Sequence, residues 1–250
     1  MKTKDNTILI TGGATGIGLA LAEALLKEGN QVIICGRREE KLLEAKNKLP
    51  KLHIKTCDVA GEGHRRDLFE WTTSEFPNTN VLVNNAGIQR QIDFKKGTED
   101  LQAGEDEIET NLNAPICLSA LFIPHLMKQK EAAIINISSG LGFVPIAIMP
   151  VYCATKAATH SFSLSLRHQL KDTSIKVFEI IPPTVDTELD KGARARRGQT
   201  DRGIKPEEVA AAVLPALVAD QYELAVGRAA WLRMESRKEP EQVFQMINSH

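Results

Sequence analysis

Thr11-Gly12-Gly13-Ala14-Thr15-Gly16-Ile17-Gly18 stands directly after a β-branched run, Thr7–Thr11, and opens a helical pattern from Gly16 to Glu28 that closes at Gly29. Glycines at 12, 16 and 18 let the backbone turn sharply and approach a pyrophosphate. They also let the following helix pack close to the sheet. The start of that helix offers unpaired N–H groups and a positive dipole end to phosphate oxygens. A glycine-rich turn alone is weak evidence. Its place between a first strand and a first helix is what makes it read as a nucleotide-binding turn.

Working outward, short apolar runs alternate with longer helical patterns. The strand candidates are Thr7–Thr11, Gln31–Cys35, His53–Cys57, Val81–Asn84, Ala133–Ser138, Ile175–Ile181 and Glu223–Val226. Most are almost continuously apolar, as parallel strands covered on both faces must be. Helices are expected over Gly16–Glu28, Glu39–Leu49, Glu62–Glu75, Gly104–Gln129, Tyr152–Lys171 and Pro206–Ala219. Pro206 suits a first-turn position, and Glu207 and Glu208 suit the positive end of the dipole. Strand–helix alternation implies right-handed crossovers, and hence an α/β Rossmann-type fold with a doubly wound parallel sheet of about seven strands. Residues 1–250 are expected to form one domain. Within it, 188–205, which contains the polar, arginine-rich stretch DKGARARRGQTDRG (Asp190–Gly203), is expected to be a mobile substrate loop or lid.

The bulk composition excludes several functions. Lys and Arg total 31 against 32 for Asp and Glu, so no charge bias points to nucleic acid or a membrane surface. Cys35, Cys57, Cys117 and Cys153 form no CxxC pair, and the histidines show no ligand spacing, so no metal site is expected. Separated cysteines beside apolar residues suit reduced thiols, and the first residues lack the apolar core of a signal peptide. The expected location is the cytoplasm.

The end of the second strand bears on the nucleotide. An NAD-selective site places a carboxylate there to hold both ribose hydroxyls. Here the residues are Cys35-Gly36-Arg37-Arg38, with two guanidinium groups able to clamp a 2′-phosphate through charge-assisted bonds. The expected cofactor is NADP(H) rather than NAD(H).

Tyr152 and Lys156 are four apart, hence on one face of a helix. A tyrosine near pKa 10 is a poor base at neutral pH, and a lysine ammonium beside it, with an oxidised nicotinamide, would lower that value. Ser139 lies at the carboxyl end of the fifth strand candidate, where open α/β sheets gather their ligands. A hydroxyl there can hold a substrate oxygen against Tyr152.

Together these residues resemble the short-chain dehydrogenase/reductase family from Thr7 to about Val226. The matching motifs are TGGATGIG (Thr11–Gly18), Cys57-Asp58-Val59, NNAG (Asn84–Gly87), Thr110-Asn111-Leu112, Ile137-Ser138-Ser139 and Tyr152-Cys-Ala-Thr-Lys156. The resemblance implies a catalytic set of Asn111, Ser139, Tyr152 and Lys156, with Ser139 rather than Ser138 as the serine. Asn111 would hold a water in a proton relay that runs through Lys156. It implies cofactor contacts from Gly12, Thr15, Gly16, Ile17 and Gly18 in the turn, and from Arg37 and Arg38 at the 2′-phosphate. Asp58 and Val59 would meet the adenine, and Asn84, Ala86 and Gly87 the adenosine ribose and central sheet. Lys156 would also bind the nicotinamide ribose, beside Tyr152, and Pro182, Val185 and Thr187 would border the nicotinamide. It also implies a homodimer or homotetramer, through long helices whose apolar residues include Leu112, Leu118, Leu121, Phe162 and Leu166.

One departure from the pattern stands out: Pro182-Pro183 replaces the usual Pro-Gly, a feature shared with a minor branch of the family. Proline fixes φ and lacks an N–H, so the substrate side is expected to be remodelled. Residues 140–151 supply an apolar wall from Leu141, Phe143, Ile146, Ile148 and Met149, favouring a small-molecule ketone, aldehyde or secondary alcohol with an apolar substituent. Gln89 and Arg90 could reach the cleft mouth. The rival readings are a nucleotide sensor without turnover, which would not need all four catalytic residues, and a nucleic-acid binder, which would need aromatic and basic surface the chain lacks.

Overall fold

Seven apolar runs become seven strands because each buries side chains on both faces of one sheet. In the computed structural model, which describes residues 1–190 and 203–249, these are β1 (Thr7–Thr11), β2 (Gln31–Gly36), β3 (His53–Thr56), β4 (Thr79–Asn84), β5 (Ala132–Ile137), β6 (Ile175–Ile181) and β7 (Glu223–Ala225). Their order is β3-β2-β1-β4-β5-β6-β7 and every neighbouring pair is parallel. The order reverses between β1 and β4, which opens a crevice at the carboxyl ends of those strands.

Two layers of helices cover the sheet. On one face α1 (Gly16–Lys27), α2 (Glu39–Lys48) and α7 (Pro206–Val218) pack Leu21, Leu25, Leu42, Val213 and Leu217 against Ile8, Ile10, Val32 and Ile34. On the other, α3 (Glu62–Glu75), α5 (Ala114–Leu126) and α6 (Pro150–Gln169) pack Leu68, Leu118, Phe122 and Leu166 against Leu9, Ile33, Leu82 and Ile134. Alternate residues of each strand therefore serve opposite layers, as the pleat requires. Leu118 and Leu166 face their own sheet, which removes them from any subunit interface.

Three segments differ from the sequence expectation. The helix expected from Gly104 begins only after Asp106, whose Oδ1 caps the N–H groups of Ile108 and Glu109 at 2.8 and 3.0 Å. It then widens into a π-helical turn over Glu109–Asn113 before α5. A short α4 (Glu99–Gln102) precedes it. Beyond β7, where no helix was expected, the chain forms α8 (Arg228–Lys238) and α9 (Pro240–Asn248). Leu232 and Val243 from this pair close over Val144 with Trp231, Phe244 and Ile247 beside them, making a small second core above the end of β5. The expected loop over 188–205 lies mostly at 191–202, outside the described residues. Its two ends are a 3-10 turn at Glu188–Asp190 and a parallel bridge between Val185 and Ile204.

Candidate active site

The glycine turn is built by close approach. Gly12 sits at φ +62°, and a Cβ there would lie 2.8 Å from the Ala86 Cα. A Cβ on Gly18 would lie 2.5 Å from both the Gly12 carbonyl oxygen and Asn85 Nδ2. Asn85 donates from Nδ2 to the carbonyls of Thr11 and Gly12 at 2.9 and 3.0 Å. The Thr11 hydroxyl accepts from the N–H groups of Asn85 and Ala86, both at 3.0 Å. Strands β1 and β4 are thus stitched together beneath the turn.

A cleft of about 1520 Å³ opens above it. Gly12, Thr15, Gly16, Ile17, Arg37, Arg38, Asp58, Val59, Ala86 and Gly87 line it, as do Pro182, Val185, Ser139, Tyr152 and Lys156, and Thr187 lies against Gly16, where a Cβ would come within 3.0 Å of its Cγ2. A glycine-rich turn leading into a helix N-terminus fits the pyrophosphate of a dinucleotide. Three of the expected residues fall elsewhere. Gly18 packs the helix start rather than lining the cleft. Asn84 points into the core, donating to Ser119 Oγ and Asn136 Oδ1 at 3.2 and 2.9 Å, so its neighbour Asn85 does the work at the turn. Asn111 is buried beneath the cleft. Its side chain accepts from the Ile88 N–H at 2.8 Å and donates to the Ile88 carbonyl at 2.8 Å and to Thr155 Oγ1 at 3.2 Å. Both N–H groups of that amide are thus used, while Oδ1 accepts a single bond and keeps its second lone pair.

Each arginine at the end of β2 already has an acidic partner. Arg37 Nη2 lies 3.0 Å from Glu105 Oε2, and Arg38 Nη1 lies 2.8 Å from Glu188 Oε2. Asp58 Oδ1 caps its own turn, accepting from the Ala60 N–H at 3.0 Å. Arg90, expected at the cleft mouth, spends its guanidinium on the carbonyls of Asp100, Leu101, Ala103 and Glu105.

Strand β5 delivers Ser139 and the first turns of α6 deliver Tyr152 and Lys156, all buried. Ser139 Oγ accepts from the Leu141 N–H at 3.1 Å and faces the same cleft as Tyr152, while Ser138 turns away and donates to Glu179 Oε1 at 2.5 Å. Lys156 Nζ donates to the Ile137 carbonyl at 2.9 Å and lies 5.6 Å from the centre of the Tyr152 ring. Burial raises the Tyr152 phenol well above its ordinary value, against an opposing influence of the neighbouring Ser139 hydroxyl, and Cys153 and Glu107 add to the rise. The expected lowering by Lys156 is not the net outcome. The same burial pushes the Lys156 ammonium down to about 8, so the cation meant to favour phenolate is itself destabilised.

Glu107 is a further functional candidate that the sequence hid. Its Oε1 accepts from the Arg90 N–H at 2.9 Å, whereas Oε2 is buried without a hydrogen-bond partner. Burial raises its carboxyl too. In the sequence it sits among Glu105, Asp106 and Glu109, which read together as a solvated helix face.

The order of motifs now has its geometry, and a model of the short chain dehydrogenase family matches residues 6–198. The chain belongs to the short-chain dehydrogenase family. Within it, the "Uncharacterized oxidoreductase DltE" of Bacillus subtilis (strain 168) is 56% identical over 249 residues, covering 100% of this chain and 99% of that protein. A short chain dehydrogenase of Burkholderia cenocepacia J2315, solved in complex with NADP, superposes with TM-score 0.84 at 25% identity, over 99% of both chains. The closed form of a serine dehydrogenase complexed with NADP+ is 30% identical, covers 88% of this chain and 94% of its own, and gives TM-score 0.78. Solved structures similar to this chain include complexes with NADP and with NAD. As a short-chain dehydrogenase the chain is an oxidoreductase acting on C–OH or C=O groups with a nicotinamide cofactor. Among the described residues no group of His, Cys, Asp and Glu could hold a metal ion, and no helix is long and apolar enough to cross a membrane.

Proposed function

We propose that this chain is an NADP(H)-dependent reductase of a small-molecule carbonyl, running in reverse on the secondary alcohol, with Tyr152 as its acid/base. The reading is carried by one observation: Ser139, Tyr152 and Lys156 line the apolar end of a cleft whose opposite end presents Arg37 and Arg38. When bound, the nicotinamide supplies or accepts the hydride. The Ser139 hydroxyl holds the substrate oxygen, and Tyr152 donates its proton to that oxygen in reduction and recovers it in oxidation. A phenol raised by burial keeps its proton at neutral pH, which suits it to the reductive direction. Lys156 offers a buried positive charge to the phenolate left behind. The guanidinium groups of Arg37 and Arg38 take the 2′-phosphate, and the NADP+ complex of the serine dehydrogenase supports that choice. Asn111 is a positioning residue here: it locks the Ile88 backbone beside Gly87 and supports Thr155 on α6.

A screen of NADPH oxidation across aldehydes, ketones and oxo acids, with Tyr152→Phe as the blank, tests the reading. Loss of at least about a hundredfold in Tyr152→Phe is expected. An unaltered rate in that variant would sink the assignment, and a sensor without turnover would be left. Titration with NADPH and NADH, repeated on Arg37→Ala and Arg38→Ala, tests the cofactor: equal affinities overturn the NADP(H) preference. We also read the chain as a cytoplasmic homodimer or homotetramer. The exposed Ile108, just before the π-helical turn, and Leu164 on α6, with the partly exposed Leu112, Leu121 and Phe162, are apolar residues of these helices available for contact. Light scattering on the purified chain decides this.

A further inference from the structure

The cations lining the cleft among the described residues are Arg37, Arg38, Arg90, Lys156 and Arg228. Four of them are committed. Arg37 and Arg38 face carboxylates, Arg90 is held by backbone carbonyls, and Lys156 is buried on the Ile137 carbonyl. The Arg228 guanidinium makes no hydrogen bond or ion pair with any described residue, and Arg228 is solvent-exposed where it lines the cleft.

Its setting is the substrate side. Arg228 opens α8 directly after Gly227, which turns the chain at φ +53°. A Cβ on Gly227 would come within 3.9 Å of Pro183 Cγ, so α8 begins against the Pro-Pro turn that departs from the family pattern. One residue later, Ala229 packs on the catalytic-serine loop: a Cβ on Gly140 would lie 3.1 Å from Ala229 Cβ. The cleft wall around this point is apolar, built from Leu141, Ile146, Met149, Leu232, Met246 and Ile247.

We infer that Arg228 is the substrate's anion anchor, and that the substrate class is a carbonyl or secondary alcohol carrying an apolar body and a single carboxylate. This rests on the oxidoreductase reading above and names its substrate class. An unpaired guanidinium beside apolar surface offers a planar fork matched to one carboxylate. A dianionic phosphate would call for a second cation, and among the described residues the other cation on this side, Lys156, is buried on the Ile137 carbonyl. The first N–H groups of α8 add positive potential at the same place. The carboxylate bound at Arg228 and the carbonyl oxygen held by Ser139 and Tyr152 then fix both ends of the molecule, with the apolar stretch between them on the wall.

The test uses the full-length chain with NADP+, titrated calorimetrically with hexanoate, hexanamide and hexyl phosphate. Hexanoate is expected to bind at least about tenfold more tightly than hexanamide. That preference should vanish in Arg228→Met and be partly restored in Arg228→Lys. With NADPH, the ratio of kcat/KM for 3-oxohexanoate over its methyl ester should fall roughly ten- to a hundredfold in Arg228→Met. Equal binding of hexanoate and hexanamide, tighter binding of hexyl phosphate, or an acid-to-ester ratio untouched by Arg228→Met would overturn the proposal. Arg228-dependent hexanoate binding without reduction of any carbonyl would strike the oxidoreductase reading alone. Robust reduction with no acid preference would strike this inference alone.

Discussion

Arg38, at the end of β2, reaches across the cofactor end of the cleft to Glu188, 150 residues away, with Nη1 2.8 Å from Oε2. Arg37 makes the mirror contact, 3.0 Å to Glu105 on the opposite rim. Both pairs are about half exposed, and Arg38 holds the Glu188 carboxyl below the ordinary carboxylate range. These two carboxylates stand where a ribose 2′-phosphate would compete for the same guanidinium groups. An exposed ion pair is worth about 0.2–1 kcal/mol, so the exchange costs little but not nothing. Glu188→Gln and Glu105→Gln should therefore each raise the ratio of NADPH to NADH affinity by roughly 1.4- to 5-fold. Fluorescence titration of both nucleotides reads this directly, and an unchanged ratio in both variants would remove the carboxylates from cofactor choice.

Lys156 makes a second prediction, about pH and stability. Its folded value of about 8 lies below the ordinary 10.5 because burial disfavours the ammonium. Between those values the unfolded chain binds the proton and the folded chain does not, so stability from this group rises with pH across that window. Below about 8 the cost of the buried charge is carried in full. In Lys156→Met the cost is gone. Relative to wild type, the variant should be most favoured near pH 7 and lose roughly 3 kcal/mol of that difference by pH 10.5. Urea unfolding of the cofactor-free proteins at several pH values measures it; a pH-independent difference would contradict the burial argument.

What the sequence revealed about this molecule follows from how local each signal is. Strands β1, β2, β5 and β6 were legible because burial on both faces writes a continuous apolar run, and Tyr152 and Lys156 because one helical turn joins them. Nothing in four adjacent letters says which of Asn84 and Asn85 faces the turn; only the pairing of β4 between β1 and β5 sends Asn85 to Thr11 and Gly12 and Asn84 to Asn136. The partners of Arg37 and Arg38 were hidden, since ion pairs between residues 68 and 150 positions apart leave no periodic trace. The helices after β7 were missed for a related reason. Their apolar residues pack on Val144, far back in the chain, so even the apolar face of α9, with Val243, Phe244 and Ile247, names no partner, and Arg228 reads as one more surface charge until the fold sets it in the cleft.

Gly18 carries a third prediction. It belongs to the turn by spacing, yet it does not line the cleft, and its missing side chain is required by backbone on one side and Asn85 on the other. Gly18→Ala places a methyl 2.5 Å from the Gly12 carbonyl oxygen, which cannot yield without moving the turn. Overpacking of this kind costs about 1–3 kcal/mol. The variant should lose that much in urea unfolding and bind NADPH more weakly through displacement of Gly12 and Gly16, without any change at a contacting residue. A variant as stable and as tight-binding as wild type would show that the helix start shifts freely.

The last prediction concerns what holds the catalytic serine loop to α6. Glu179 is fully buried in β6, paired in register with Asn136 on β5 and Glu223 on β7. One carboxylate oxygen accepts from Ser138 Oγ at 2.5 Å, and the other lies 2.7 Å from His160 Nδ1. Ser138 precedes Ser139, and His160 stands one helical turn beyond Lys156, so a single carboxylate ties together the two elements that carry the chemistry. Removing it in Glu179→Leu leaves Ser138 Oγ with only the Ile180 carbonyl at 3.4 Å and the partly buried His160 ring without its acceptor, an expected loss of about 1–3 kcal/mol in unfolding free energy. Glu179→Gln keeps one acceptor and should lose less. Because the cofactor turn lies at the far end of the cleft, NADPH affinity in Glu179→Gln should hold while kcat falls with the misplacement of Ser139. If Glu179→Leu unfolds at the wild-type urea concentration, the carboxylate is not what fixes the loop, and the register of β5 and β6 alone must do so.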